Sequence, residues 1–218
     1  MTLTRLIFVR HGQTSWNKKG KIQGRNDLPL SPEGVVQARE VADYIYTKKS
    51  EWSVSKVYSS PLKRAYETAK AIASRIELPV VDDLDLMEVD FGEISGLSWS
   101  EVERDHSEFL KTFRSDPFNT FYPNGESQAT ALLRAEAFMD RALEENLGGG
   151  AVVVAHAAIL RVMIGRVLEL EHRNEGRMSI SNCSVSVAKF ETSEIKGSFE
   201  TSASMETLND CHFMSFRR

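Results

Sequence analysis

Apolar positions fall in two rhythms along this chain. Stretches that read as strands lie at Leu3 to Val9, in "VSKVYSS" at 54–60, around "LPVVDD" at 78–83, and, most uniformly apolar, in "AVVVAH" at 151–156. Between them the spacing turns helical. In "SPEGVVQAREVADYIYTKK" the apolar positions 35, 38, 41, 42 and 45 share one face, with Ser31 and Pro32 as start signals. Pro61 opens a second helix, "LKRAYETAKAIASRI"; a third runs from about Ser127 to Asn146 and is stopped by Gly148, Gly149 and Gly150. "AAILRVMIGRVLEL" is the helix that follows "AVVVAH". Residues 12–33, rich in Gly, Asn, Pro and Ser, read as a loop, "SWSEVERDHSEFLKTF" as a helix and "SDPFNTFYPNGES" as a loop. "SVSVAKFE" and the stretch near "SMETLND" read as strands joined by a hairpin-like turn around Lys196 and Gly197.

Strand and helix in alternation predict an α/β fold, a three-layer sandwich with a mainly parallel central sheet flanked by helices. No repeat or linker divides the chain. The expectation is a single domain over 1–218, with a mixed helix-loop insertion at about 97–125 over the active site. Open α/β sheets bind ligands at the carboxyl ends of their strands. His11, the Ser59 to Arg64 segment and His156 each lie just past such an end, so three distant segments are expected to meet in one crevice.

Composition narrows the partners. With 41% hydrophobic residues the chain can build a substantial core, and a net charge of −4 from 27 basic and 31 acidic residues supplies no global field for nucleic acid or an acidic membrane. No stretch reaches the roughly 18 to 20 apolar residues of a membrane span, and the N-terminus lacks a signal-peptide pattern. Cys183 and Cys211 make neither a disulfide framework nor a zinc pattern. The expected setting is a reducing cytoplasm.

The crevice would hold Arg10, His11, Arg64 and His156, with Asn17 and Glu88 on neighbouring loops. Two guanidiniums aimed at one place call for an anion, and their planar forks suit a phosphoryl group. They would repel a metal cation, and no metal-ligand spacing accompanies the histidines. A histidine with one free ring nitrogen can attack phosphorus and form a phosphohistidine, provided the other nitrogen is held by a backbone carbonyl. Arginines, the second histidine and a helix N-terminus would carry the oxygens, and a carboxylic acid would protonate the leaving alkoxide and later activate water. Bland alternatives stand beside these: an arginine paired with an acidic side chain, a core histidine. His106 and His172, in charged surroundings, read as surface residues, and both cysteines as buried small residues. Trp16, Phe118, Phe121 and Tyr122 are either pocket lining or core.

Six blocks taken together, "FVRHGQTSWN", "IQGRNDLPLSPEGVVQA", "VYSSPLKRAYETA", "LMEVDFGEISG", "YPNGES" and "VVVAHAAILRV", resemble the histidine phosphatase superfamily, in its phosphoglycerate mutase-like branch. They occur in family order over about three quarters of the chain. The resemblance implies His11 as the phosphorylated nucleophile, Arg10, Asn17, Arg64 and His156 as phosphate ligands, and Glu88 as the acid and base. It also places Gln23 and Gly24 at the pocket border. Nothing in the spacing singles out Glu88 among the acidic residues; that assignment comes from the resemblance alone. His212, in "LNDCHF", lies on a tail similar to those that reach the site in some small phosphatases of this superfamily, which makes it a specificity candidate.

Two departures stand out. Where the family often has glycines after the second histidine, this chain has Ala157 and Ala158, whose amides can still donate. Where it usually has Trp-Glu-Gly after the acid, this chain has "GEISG". The implied activity is metal-free and cofactor-free hydrolysis of a small phosphorylated metabolite, with a homodimer compatible with an exposed sheet edge or helix. A phosphoglycerate mutase would use the same residues, but primer-dependent mutases resemble longer chains with an insertion after the acid, and here only about 25 residues separate "GEISG" from "YPNGES". An inactive phosphate-binding member is the third reading, although no expected site residue has been replaced.

Overall fold

The computed structural model describes residues 1–195 and 198–215. Its strands are β1 (Thr2–Arg10), β2 (Val54–Ser59), β3 (Val80–Asp82), β4 (Gly150–Ala155), β5 (Val185–Ile195) and β6 (Ser198–Asp210), joined in one sheet in the order β3-β2-β4-β1-β5-β6. The helices are α1 (Ser15–Lys18), α2 (Pro32–Lys48), α3 (Lys63–Ile76), α4 (Trp99–Asp105), α5 (Ser107–Ser115), α6 (Gln128–Glu145), α7 (Ala157–Val167) and α8 (His172–Glu175). From β3 through β2 and β4 to β1 the pairing is parallel; β5 and β6 add an antiparallel margin.

The sheet is covered on both sides, which is why β1 and β4 are apolar at consecutive positions rather than at every second one. Leu6, Phe8, Ala151, Val153 and Ala155 pack in a cluster with Ala135 and Phe138 of α6 and Leu160 and Met163 of α7. Ile7, Val9, Val152 and Val154 point the other way, into a cluster with Val41 and Ile45 of α2 and Ala69 and Ile72 of α3. Each large side chain so buried contributes about 1.5–3 kcal/mol.

The three-layer α/β sandwich is thus as the sequence predicts. Local details differ. Residues 12–33 are not all loop, because Thr14 and Asn17 form a capping box that starts α1. Val35 is 39% exposed; the buried face of α2 instead runs through Gly34, Gln37, Ala38, Val41, Ala42 and Ile45. The helix predicted over "SWSEVERDHSEFLKTF" breaks at His106, whose backbone leaves the helical region, giving α4 and α5. α3 starts two residues past Pro61, with Leu62 at its N-cap, and α7 ends at Val167, short of the predicted end. β5 and β6 outrun their apolar patterns because ladder pairing extends them from Val185 to Ile195; the turn expected at Lys196 and Gly197 lies outside the described residues. Over the middle of the chain, Phe109 and Phe113 lie against Tyr122 with ring centroids 5.6 and 5.5 Å away, and Phe91 meets the same ring edge-on at 4.8 Å.

Candidate active site

β2, β4 and β1 are neighbours, and their registers, Ser59 opposite Val154 and Arg10 opposite Ala155, end them on one edge of the sheet. The chain turns out of the sheet at His11, Ser60 and His156. The three segments expected to converge do so.

His11 is 2% exposed. Its Nδ1 lies 2.7 Å from the carbonyl of Gly12, and since a carbonyl only accepts, Nδ1 carries the proton and Nε2 keeps a lone pair. A backbone carbonyl therefore fixes the tautomer, as a nucleophilic histidine requires. Gly12 is dictated by crowding: a Cβ there would lie 2.6 Å from the carbonyl oxygen of Gly34, and a Cβ on Gly34 would lie 2.1 Å from that of Gln13. The first turn of α2 presses directly onto the strand-end loop.

Arg64, on the first turn of α3, is fully buried. Its Nη1 donates to the Asn26 carbonyl at 2.6 Å and its Nη2 to the Gly24 carbonyl at 2.7 Å. Gly24 holds that carbonyl in place from a left-handed backbone conformation (φ +52°). The Nε–H of Arg64 is shared between His11 Nε2 at 3.3 Å and His156 Nδ1 at 3.1 Å. With Nδ1 accepting, His156 directs Nε2–H at Ser60 Oγ, 2.8 Å away. Both rings are neutral. Burial, reinforced chiefly by the Arg64 charge, lowers the pKa of each well below 6.5.

Arg10 donates through Nη1 to the Ile180 carbonyl at 2.6 Å, while its Nε is buried without a partner among the described residues. Burial lowers its pKa to about 10 against the opposing pull of Glu88, with the Arg161 and Arg64 charges adding to the drop; burial likewise takes Arg64 to about 10. Both arginines remain cations at neutral pH. Asn17 Oδ1 accepts from the Thr14 amide at 3.0 Å, and Thr14 Oγ1 at 3.1 Å and Asn182 Nδ2 at 3.3 Å also lie within reach of it. Those donors orient the amide so that its NH2 is the available end. Thr14 Oγ1 also reaches Gln23 Oε1 at 2.9 Å, which turns the Gln23 NH2 outward in the same way.

Glu88 is 7% exposed. Its carboxylate accepts from the amides of Ala158 at 3.2 Å and Ile159 at 3.1 Å, and from Val89 at 3.0 Å. His156, the N-cap of α7, offers no side-chain cap; Glu88 fills that role from a distant loop, where a negative charge also faces the positive end of the helix. Ala157 precedes those amides at the start of the helix. The loop carrying Glu88 is pinned by Arg134, which donates to the carbonyls of Asp85 and Met87 at 2.6 Å each and pairs with Glu126 at 2.7 Å, while Glu126 accepts from the Asp90 amide.

His212 sits elsewhere. It is exposed, held by Asp210 through Nδ1 at 2.7 Å, and stands edge-on to Tyr44. It lines a cavity of about 600 Å³ together with Arg10, Gln13, Asn182 and Asn209, but without His11, Arg64, Glu88 or His156. The tail thus shares a cavity with Arg10 whose lining leaves out the histidine pair. His172 is not a purely solvated residue, since it stacks on Phe118 at 3.8 Å, and His106 is half-buried at the α4–α5 junction. Phe121 is 61% exposed, whereas Tyr122 is core at 3%. Cys183 is buried and Cys211 half-buried, both as free thiols. Sequence reasoning missed Ser60, Thr14 and Asn182; only Ser60, next to the strand end, carried a positional signal.

Two buried histidines and two arginines that form no ion pair among the described residues, gathered at the carboxyl edge of a mostly parallel sheet, define a class: α/β enzymes that work on phosphoryl groups. Residues 6–198 match the Histidine phosphatase superfamily (branch 1), and the chain belongs to that family. It is 36% identical over 84% of its length to phosphoglycerate mutase-like protein 4 of Arabidopsis thaliana, covering 77% of that protein. It is 31% identical over 87% of its length to phosphoserine phosphatase 1 of Hydrogenobacter thermophilus, covering 88% of it. Among solved structures, the phosphoserine phosphatase of Entamoeba histolytica with phosphoserine bound superposes with a TM-score of 0.81 at 28% identity, over 97% of this chain and 99% of that one.

Proposed function

We propose that the protein is a phosphomonoester hydrolase that acts on a small phosphorylated metabolite through a phosphohistidine. The observation that carries this reading is the locked tautomer of His11, whose free Nε2 faces the point where the Arg64 Nε–H is shared with His156. A phosphoryl oxygen placed there takes over the arginine's hydrogen bond. Arg10, Arg64, His156 and the amides of Asn17 and Gln23 would then surround the transferring group, with the Ala157 amide at the start of α7 as a further candidate donor.

In the first step the His11 Nε2 lone pair forms a bond to phosphorus as the bond to the ester oxygen breaks, and Glu88, carrying a proton, gives it to that oxygen. In the second, Glu88 takes a proton from water, the resulting hydroxide attacks phosphorus, and the phosphorus–nitrogen bond returns its electron pair to His11. Inorganic phosphate leaves. The fixed positive charges supply transition-state stabilisation, the largest contribution to catalysis in such sites.

To the segment at 97–125, packed through Phe109 and Phe113 on Tyr122, this reading assigns the shaping of the leaving-group side. The free thiols suit a reducing cytoplasm. The small-metabolite substrate rests on the phosphoserine phosphatase relatives, and the name of the Arabidopsis relative keeps a mutase as the second reading. Phosphate release from a panel of phosphomonoesters in chelator, with 3-phosphoglycerate isomerisation followed in parallel, separates the two. Release that vanishes in His11→Ala supports the phosphatase; isomerisation outrunning release makes it a mutase; neither reaction leaves a binding module.

A further inference from the structure

One carboxylate brackets Glu88 from both sides. Glu126, 8% exposed, accepts at Oε1 from the Asp90 amide at 2.8 Å and from Arg134 Nη2 at 2.7 Å. Arg134 in turn holds the carbonyls of Asp85 and Met87. The backbone contacts at residues 87 and 90, on either side of Glu88, therefore trace to a single ion pair. A second bracket lies on another loop. The carbonyls of Gly24 and Asn26 accept from the terminal nitrogens of Arg64 at 2.7 and 2.6 Å, and the residue between them is Arg25.

Arg25 joins the two brackets. Its Nη2 lies 3.5 Å from Glu126 Oε1 and its Nη1 3.7 Å from Asp90 Oδ2, with the side chain 39% exposed. Among the described residues, no other ion pair links residues 23–27 to Asp90 or Glu126. Backbone bonds tie the neighbouring stretches together one step back, where the Ile22 amide donates to the Leu97 carbonyl and the Ile22 carbonyl accepts from the Gly96 amide. The arginine acts beyond those bonds, at the tip that meets Arg64. An exposed pair of this length contributes little to stability; its leverage is orientation, and a misplacement of about 1 Å at reacting groups can cost about 100-fold in rate. We propose that Arg25 is a positioning residue: through Glu126 and Asp90 it fixes the loop that carries Glu88 to the loop that holds Arg64, so that the proton donor keeps its distance from the phosphate clamp. The inference rests on the phosphatase reading, in which Glu88 protonates the leaving oxygen.

The test compares kcat/KM for phosphoserine, whose leaving alkoxide needs a proton, with that for nitrophenyl phosphate, whose leaving group scarcely does. Arg25→Gln is expected to lower the first about 10-fold and the second less than about 2-fold, with Tm unchanged, and Arg25→Lys, which keeps a cation, to recover part of the loss. In a Glu88→Gln background the same substitution should cost less than about 2-fold on phosphoserine, because the group it positions is gone. Equal falls on the two esters, or the full loss repeated in the Glu88→Gln background, would mean that Arg25 acts on the phosphate clamp or on the fold at large, and would overturn the proposal. So would an Arg25→Gln enzyme as fast as wild type on phosphoserine. Wild type that releases phosphate from no ester at all sinks the phosphatase reading, and this inference with it.

Discussion

Acid should destabilise this protein through two particular histidines. His11 and His156 are 2% and 0% exposed and sit within hydrogen-bond distance of one guanidinium N–H. Burial and the Arg64 charge hold both neutral, with folded pKa values well below 6.5. An unfolded chain binds these protons at about 6.5. The stabilisation from staying neutral is therefore complete above that pH and is lost as pH falls from 6.5 toward the folded values. Each histidine contributes a slope of at most about 1.4 kcal/mol per pH unit in that window, so moving from pH 7.5 to 5.5 costs up to about 1.4 kcal/mol per ring and up to about 2.7 kcal/mol for the pair. Urea unfolding at the two pH values, for wild type and for a His11→Gln, His156→Gln double variant, isolates the term, because His106, His172, His212 and the carboxylates are common to both. The double variant should lose less than wild type over the interval, by up to about 2.7 kcal/mol. Equal losses would refute the argument that the fold keeps these rings neutral.

Other outcomes follow from single contacts. Arg64→Ala should lower kcat by about 10²- to 10³-fold, because the arginine meets charge that develops in the transition state; a rise in KM alone would contradict that role. Glu88→Gln should slow esters of aliphatic alcohols far more than nitrophenyl phosphate, whose leaving group scarcely needs a proton, and a uniform drop would point to another acid. Gly34→Ala should destabilise by about 2 kcal/mol or more, since its Cβ would stand 2.1 Å from the Gln13 carbonyl oxygen and α2 must shift. Thermal unfolding reads that shift, and an unchanged Tm would mean that the helix–loop contact yields freely.

The sheet and the convergence of its strand ends were legible because they rest on apolar runs, and burial on both faces of β1 and β4 is written directly into composition. Arg10, His11 and His156 were legible for the same reason: each follows such a run. Glu88 was not. Its role depends on reaching the α7 amides some seventy residues away, and no local pattern distinguishes it from other acidic residues; only the family resemblance did. Asn182 was missed because it binds the His11 carbonyl and the Asn17 amide oxygen from a distant segment, contacts that leave no periodic trace. The break at His106 and the exposure of Val35 show the same limit. Helical periodicity finds a face, but the neighbours decide where the face begins and ends.

The central claim is that His11 becomes phosphorylated. The most direct measurement is an acid-free denaturing quench during turnover of a radiolabelled phosphomonoester in chelator, followed by peptide mapping. Label on the peptide containing His11, stable to base, released by mild acid and absent from His11→Ala, is the predicted result. Phosphate release that continues undiminished in His11→Ala, or rapid turnover in wild type with label on some other residue, would contradict the account.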